Sequence, residues 1–299
     1  MDVDIDWNYL LERLERLLDM GEEHLSRQLA EWEPDPEAFR QHYAFRWQRD
    51  EPSGFFTEVT SPDIPDLADL LGIDDALKRM RRNTLQFVRS LPANNVLLWG
   101  ERGGGKSSAV KGMLGEFGKQ GLRMVEVRKE DFFQLPEITA WLRQLPYRFI
   151  LFCDDLSFGE NEVAYRELET LLEGGLEARP DNVLVYATSN SRHPVPERPA
   201  EKTGGAEIRP EEEAAEKLPL ADCFGVTLGF HPMDQATYLA ITRHLARKRG
   251  LAPGREQLER EALHWARDRG ARSGRVARQF IDDLAGQLAL RGAASKDPA

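Results

Sequence analysis

Asn94-Asn95-Val96-Leu97-Leu98-Trp99-Gly100-Glu101-Arg102-Gly103-Gly104-Gly105-Lys106-Ser107-Ser108 is the stretch on which the fold turns. Val96 to Trp99 is a short apolar run bounded by Asn95 and Gly100, and it reads as a buried strand. Gly100 to Ser107 fits G-x-x-x-x-G-K-[ST], and a helical pattern follows from Lys106 to Phe117. A strand, a glycine loop and a helix in this order gather backbone N–H groups at a helix N-terminus, where polyphosphate binds. Glycines let that backbone approach closely and take positive φ. Lys106 is expected to reach the β and γ phosphates, and Ser107 to ligate Mg²⁺. ATP and Mg²⁺ are thus the expected ligands. The loop residues expected around them are Gly100, Glu101, Arg102, Gly103, Gly104, Gly105, Lys106, Ser107 and Ser108.

Outward from this loop, strand-like and helix-like segments alternate. Arg123 to Val127 reads as a strand, and a helix at about 135 to 145 carries Pro136 in its first turn, where a missing N–H costs little. Phe149 to Cys153 is a continuous apolar run. Residues 162 to 173 are helical and stop at Gly174-Gly175. Val183 to Ala187 and Val226 to Phe230 are two further strands. Such alternation predicts a parallel sheet flanked by helices. After Pro232 the pattern is helical only, over 234–249, 256–269 and 274–291, which predicts a small C-terminal all-helical domain. Before the loop, leucines recur at helical spacing over 7–30, and 67–88 is helical with a break at Gly72. Residues 33 to 65 hold five prolines and an aromatic group of Tyr43, Phe45, Trp47, Phe55 and Phe56, and read as a linker whose aromatics pack on the nucleotide-binding domain or, as the alternative, form a partner surface. The expected division is an N-terminal helical extension and linker over 1–60, a nucleotide-binding α/β domain over 61–231, and a helical domain over 232–299.

Two more strand ends carry candidate chemistry. The apolar run 149–153 ends in Asp154-Asp155, and carboxylates at the end of a buried strand are costly without a cation or donor nearby. Asp154 is expected to hold the Mg²⁺ shell through water, the Walker-B role. Asp155 stands where many P-loop ATPases place a glutamate that polarises attacking water; aspartate is one methylene shorter, so it acts as a base after a small shift or acts poorly, with a cap on the following turn as the plainer alternative. The strand from Val183 runs into Thr188-Ser189-Asn190 at the same sheet edge, where ligands of parallel sheets bind. Asn190 is the candidate for orienting that water, with Thr188 behind it. In the helical domain, Arg275 is the candidate to swing over bound phosphate, and Arg278 is its reserve.

Composition narrows the class. The 299 residues suffice for two domains, and 41% hydrophobic with 30% charged residues is ordinary for a globular protein. No apolar run approaches the ~18 residues of a membrane span. The start, MDVDIDWNYL, lacks the layout of a signal peptide. Cys153 and Cys223 have no zinc-type spacing, so a reducing cytoplasm is expected. A net charge of −11 repels nucleic acid and anionic lipid at long range, although residues 240 to 291 carry twelve Lys/Arg against six Asp/Glu.

P-loop, Walker-B strand, polar fourth strand end and arginine-bearing helical segment occur in the order of AAA+ ATPases. More closely, NNVLLWGERGGGKSS, YRFILFCDDLSF and RPDNVLVYATSN resemble a bacterial AAA+ group known as domain-of-unknown-function family 815. The resemblance runs from about Phe45 to Leu290. It implies the AAA+ fold, ATP binding, and assembly into a ring or with a partner protein; it names no client and leaves nucleic acid open. It also implies that Leu67 to Ile73 lies against adenine, with Leu71, Gly72 and Ile73 closest. One position departs. Related chains carry an arginine in a stretch like D-R-F-G before the fifth strand, a finger that reaches the neighbour's γ-phosphate. Here the stretch is Ala221-Asp222-Cys223-Phe224-Gly225, and Cys223 stands in its place. Arg192 is the substitute to consider. The expected function is an ATPase that remodels or loads a client. A slowly hydrolysing nucleotide-state switch is the alternative, and a small-molecule kinase fits the helical domain least.

Overall fold

The computed structural model describes residues 13–16, 18, 20, 34–50, 53–157, 163–174, 179–191 and 221–294. The chain divides into two compact units, Met1–Asp35 and Pro36–Ala299. Most of the helical stretch expected over 7–30 lies outside the described residues, as does Arg192.

Seven strands form one sheet. They are β1 (Ala44–Asp50), β2 (Ser53–Glu58), β3 (Val96–Gly100), β4 (Leu122–Glu126), β5 (Arg148–Cys153), β6 (Val183–Ser189) and β7 (Val226–Phe230), in the spatial order β2-β1-β4-β5-β6-β3-β7. All neighbours run parallel except β1 and β2, which form an antiparallel hairpin. Helices α1 (Pro36–Gln41), α2 (Asp74–Val88), α3 (Lys106–Phe117), α4 (Leu135–Arg143) and α5 (Val163–Glu173) accompany the sheet. Val96, Leu98, Ile150, Phe152, Leu184 and Tyr186 face one helical layer with Met80, Val110 and Met113. Their strand neighbours Leu97, Phe149, Leu151, Val183 and Val185 are buried as well, and alternation sends them to the other face. A sheet covered on both faces explains why its strands read as unbroken apolar runs.

The linker expected over 33–65, and with it the boundary at 60/61, is corrected by the sheet itself. Residues 36–58 are part of the α/β unit and add α1, β1 and β2 to the sheet. Phe45, Trp47 and Phe56 are buried, and Phe39 stacks on Phe45 with ring centroids 4.1 Å apart. Trp47 Nε1 donates to Gln134 Oε1 at 2.9 Å, which satisfies its polar edge in the core. Arg123 secures the same region. Its buried guanidinium lies between the rings of Tyr43 and Tyr147, and donates to the carbonyls of Phe39, Gly118 and Leu122. Pro34, Pro36, Pro62 and Pro65 lie outside the strands, so composition misled where alternation along β1 and β2 was the better guide.

The C-terminal helices are α6 (Gln235–Lys248), α7 (Arg255–Asp268) and α8 (Gly274–Ala294). They pack round Tyr238, Ile241, Leu258, Ala262, Ala277, Phe280 and Ile281. Asp234 caps α6 by accepting from Thr237 N at 2.7 Å. The parallel sheet flanked by helices, with this helical lid behind it, is the AAA+ architecture expected from the sequence. Among the described residues no helix is long and apolar enough to cross a membrane.

Candidate nucleotide site

The carboxyl ends of β3, β5 and β6 open on one cavity of about 500 Å³, roofed by the lid helices. Its floor is the loop from Arg102 to Ser108. Gly103 and Gly105 have φ of +79° and +97°, and Gly104 between them stays out of that region. Such alternation curls successive N–H groups into an anion-binding hollow, and Gly105 hands it to the N-terminus of α3. Gly100 (φ +131°) does not line the cavity. A Cβ there would stand 2.0 Å from the Phe230 carbonyl oxygen, so only glycine lets β3 leave the sheet beside β7. Glu101 also lies outside the lining. Both residues act from beneath, since their carbonyls accept from Lys106 Nζ at 2.6 and 2.9 Å.

Lys106 is 7% exposed. Burial pushes its ammonium below the usual lysine value; Asp155 and Asp154 pull it back up, and Arg102 and Arg275 act as like charges. A third bond, to Asn190 Oδ1 at 3.3 Å, joins Lys106 to the end of β6.

The carboxylates of Asp154 and Asp155 have separate surroundings. Asp154 Oδ1 accepts from Ser107 Oγ at 2.7 Å and from Thr188 Oγ1 at 2.6 Å. This is an all-oxygen group, suited to a hard cation that keeps most of its waters and bridges to phosphate. No group of three or more His, Cys, Asp or Glu side chains apt for a metal occurs among the described residues. Ser107 and the Asp154 shell would hold a Mg²⁺ that completes its coordination with water and phosphate oxygens, and the residues present fit that group. Asp155 adopts φ +55°, a left-handed conformation uncommon outside glycine, and its N–H donates to Thr188 Oγ1 at 2.9 Å. Its carboxylate accepts from Asn190 Nδ2 and sits 3.7 Å from the Arg102 guanidinium.

The lid supplies the roof. Arg275 and Arg278 both line the cavity, together with Gly274, Met233, Ile241 and Leu245. From the segment before α2, Asp69, Leu70, Leu71 and Ile73 form a side wall that is apolar apart from Asp69. Leu71 also packs into the lid core. Gly72, expected beside them, does not line the cavity. It takes φ +83° against α6, where a Cβ would meet Thr237 Cγ2 at 2.6 Å.

The sequence reading missed the fastening of this wall to the lid. Asp69 accepts from His244 Nε2 at 2.8 Å and pairs with Lys248. Burial works to raise the Asp69 carboxyl, and the bonds from His244 and Lys248 outweigh it and hold it below the usual range. The signal available was the His244/Lys248 spacing, one helical turn on one face. Met233, Ile241 and Leu245 were also missed, because apolar residues on a helix read as core.

Cys223 stands away from these residues. It is partly exposed, and its thiol donates to Glu173 Oε1, at the end of α5, at 3.4 Å. Burial and then Glu173 push that thiol up to about 12.

A parallel sheet whose strand ends carry a left-handed glycine loop, a buried lysine and paired aspartates, beside arginine-bearing C-terminal helices, is the arrangement of a P-loop fold. The chain belongs to the family described as "Protein of unknown function (DUF815)", whose model matches residues 40–288. Solved structures similar to it include the Thermotoga maritima RuvB Holliday junction branch migration motor (14% identity, 73% of this chain and 72% of that one, TM-score 0.45). A mutant of that RuvB gives 14% identity over 75% and 64% of the two chains, with a TM-score of 0.49. A DNA replication initiation factor gives 15% identity, 77% and 67%, and a TM-score of 0.47. No curated protein matches the chain.

Proposed function

We propose that this chain is a Mg²⁺-dependent ATPase that works in a reducing cytoplasm and acts on a protein or nucleic-acid client as a remodeller or loader. The observation that carries it is the meeting of Lys106, Asp154, Asp155, Asn190 and Arg275 at one sheet edge, from four separated stretches of sequence. The glycine loop and Lys106 bind the β and γ phosphates, and Leu71 and Ile73 take the adenine side. Ser107 and the Asp154 shell would hold Mg²⁺, which would supply charge neutralisation to the phosphates. Asp155 accepts a proton from water that Asn190 orients. Arg275 brings lid closure to bear on the γ-phosphate.

The switch reading has its own support. Cys223 is neutral, short and bonded to Glu173 of its own chain, so the neighbour's guanidinium expected from related chains is missing there. A slow hydrolase whose ATP and ADP forms differ in lid position would bind a partner in one state. The ATPase rate across a protein concentration series, with native mass measured in ATP and in ADP, separates the two. A rate that climbs with assembly supports the remodeller. A flat, slow rate supports the switch, and no Mg²⁺-dependent nucleotide binding at all removes both.

A further inference from the structure

We infer that Arg102, inside the glycine loop, supplies from its own chain the guanidinium that Cys223 cannot supply to a neighbour. The inference rests on the ATPase reading above and adds a residue to it.

Arg102 is two residues beyond the end of β3 and three before Gly105, so the loop itself carries it to the cavity mouth. Its side chain is 75% exposed and lines the cavity. Its guanidinium is 3.7 Å from the Asp155 carboxylate. That carboxylate also takes the Asn190 amide, and Asn190 in turn accepts from Lys106. Arg102 is thus grouped with the residues assigned to the γ-phosphate end. The loop's N–H groups alone would suffice for the α and β phosphates, and any side chain at 102 would leave them in place.

The character of the ion pair matters. An exposed pair at 3.7 Å contributes little to stability, so exchanging its partner costs little. A guanidinium is always charged, and its planar fork matches phosphate oxygens. A phosphoryl group entering beside Lys106 offers a stronger partner than one exposed carboxylate. Gly103 follows at φ +79°, and the space beside it is bounded by Ser273 and Arg275 of the lid. Arg102 and Arg275 therefore approach the same end of the cavity from floor and roof. Transfer of Arg102 from Asp155 to phosphate also frees one side of the Asp155 carboxylate to accept a proton from water. One movement would arm both groups.

Direct binding provides the test. Calorimetry with Mg²⁺ compares the β,γ-imido analogue of ATP with ADP, for the parent chain, Arg102→Ala and Arg102→Lys. The expected result is a parent preference for the triphosphate that falls about tenfold or more in Arg102→Ala, with ADP affinity kept within about twofold, and that Arg102→Lys restores in part. Circular dichroism melting shows that the variants fold, as expected for an exposed side chain. Turnover of Arg102→Ala should fall about 10²-fold or more. Adding Lys106→Ala chains, which keep Arg102 but lack the phosphate lysine, should not restore it. An unchanged triphosphate preference in Arg102→Ala, an equal loss for both nucleotides, or rescue by the Lys106→Ala chains overturns the inference. A parent chain that binds neither nucleotide overturns the ATPase reading itself.

Discussion

The two ends of the parallel strands use arginine in opposite ways. At the carboxyl end, Arg102, Arg275 and Arg278 line a cavity floored by glycine N–H groups and faced by Asp154 and Asp155. At the amino end, Arg143, Arg148 and Arg179 line a larger hollow of about 770 Å³ with Tyr147, Pro146 and Pro180. There the guanidinium groups are consumed by the scaffold. Arg148 donates to the Asp181 carbonyl at 2.7 Å and to Ser90, and Arg179 donates to Asn95 Oδ1 at 2.7 Å. Asn95 Oδ1 also accepts from Val185 N at 3.0 Å, so Arg179 helps to hold β3 against β6. Cavity size and arginine content therefore fail to pick out the site. What distinguishes the carboxyl end is its partners: left-handed loop glycines, a buried lysine, and an Asp154 carboxylate with a hydroxyl on each side.

The largest effect that would sharpen this contrast is at Lys106. Lys106→Ala should weaken Mg²⁺-ATP binding by about 10²-fold or more, because it removes a buried charge aimed at phosphate. The melting temperature should change little, since the lysine's bonds are to loop carbonyls and not to the core. Titration with a fluorescent ATP analogue gives the affinity. Unchanged affinity would remove Lys106 from the site and erase the difference between the two ends.

Next come the aspartates. Asp155→Asn should cut single-turnover hydrolysis about 10²-fold while ATP still binds, because an amide cannot accept the proton. Asp154→Ala should instead shift the Mg²⁺ titration to higher concentration, since Ser107 and Thr188 then lose the oxygen they share. Hydrolysis by Asp155→Asn at the parental rate would leave Asp155 a structural residue with an unexplained left-handed backbone.

The amino end should respond in the reverse sense. Arg179→Ala should lower stability by about 1–3 kcal/mol, because it strips one partner from Asn95 in a buried corner. It should leave ATP affinity alone. Arg275→Ala should weaken ATP binding and leave the melting temperature alone. Chemical denaturation and nucleotide titration of both variants test the pair, and equal effects on both readouts would break the comparison.

Legibility in the sequence follows the same division. The loop, the β5 end and the β6 end were readable because each is local: a strand runs straight into its polar residues. Helix α3 and strand β7 have the expected limits for that reason. Three things were not readable. The hairpin β1–β2 was hidden by prolines and by distance, since its partner β4 lies far along the chain. The Asp69–His244–Lys248 fastening joins residues 175 positions apart, so the His244/Lys248 spacing alone does not name its partner. The nearness of Arg102 to Asp155 depends on where β5 lies in the sheet, while the spacing G-x-x-x-x-G-K marks position 102 as free to vary.

The smallest expected effect is at Cys223, and it is still informative. As a hypothesis, Cys223→Arg accelerates hydrolysis only where chains associate, because the resemblance to AAA+ ATPases implies that an arginine here would face a neighbour's γ-phosphate. The geometry limits the gain. The thiol is bonded to Glu173, so a guanidinium at 223 has a carboxylate waiting in its own chain and must leave it to reach a neighbour. If Arg102 already serves in cis, a second guanidinium adds a few-fold at most, well short of the ~10³ a finger can supply. The parent thiol offers an independent check on its surroundings. With its pKa pushed up to about 12, it should alkylate at pH 8 at least ~10-fold more slowly than an ordinary thiol, and the rate should still be climbing at pH 10. The sign for stability follows. A thiol held protonated in the fold contributes its full share below the unfolded value of about 8.5, and loses it as pH rises toward 12. Glu173→Gln should remove the acceptor charge, speed alkylation, and let Cys223→Arg show whatever trans effect it has. Steady-state rates of Cys223→Arg with and without Glu173→Gln, each across a concentration series, decide the matter. A large, concentration-dependent gain in either would mean that the neighbour's site is within reach and that Arg102 is not sufficient alone.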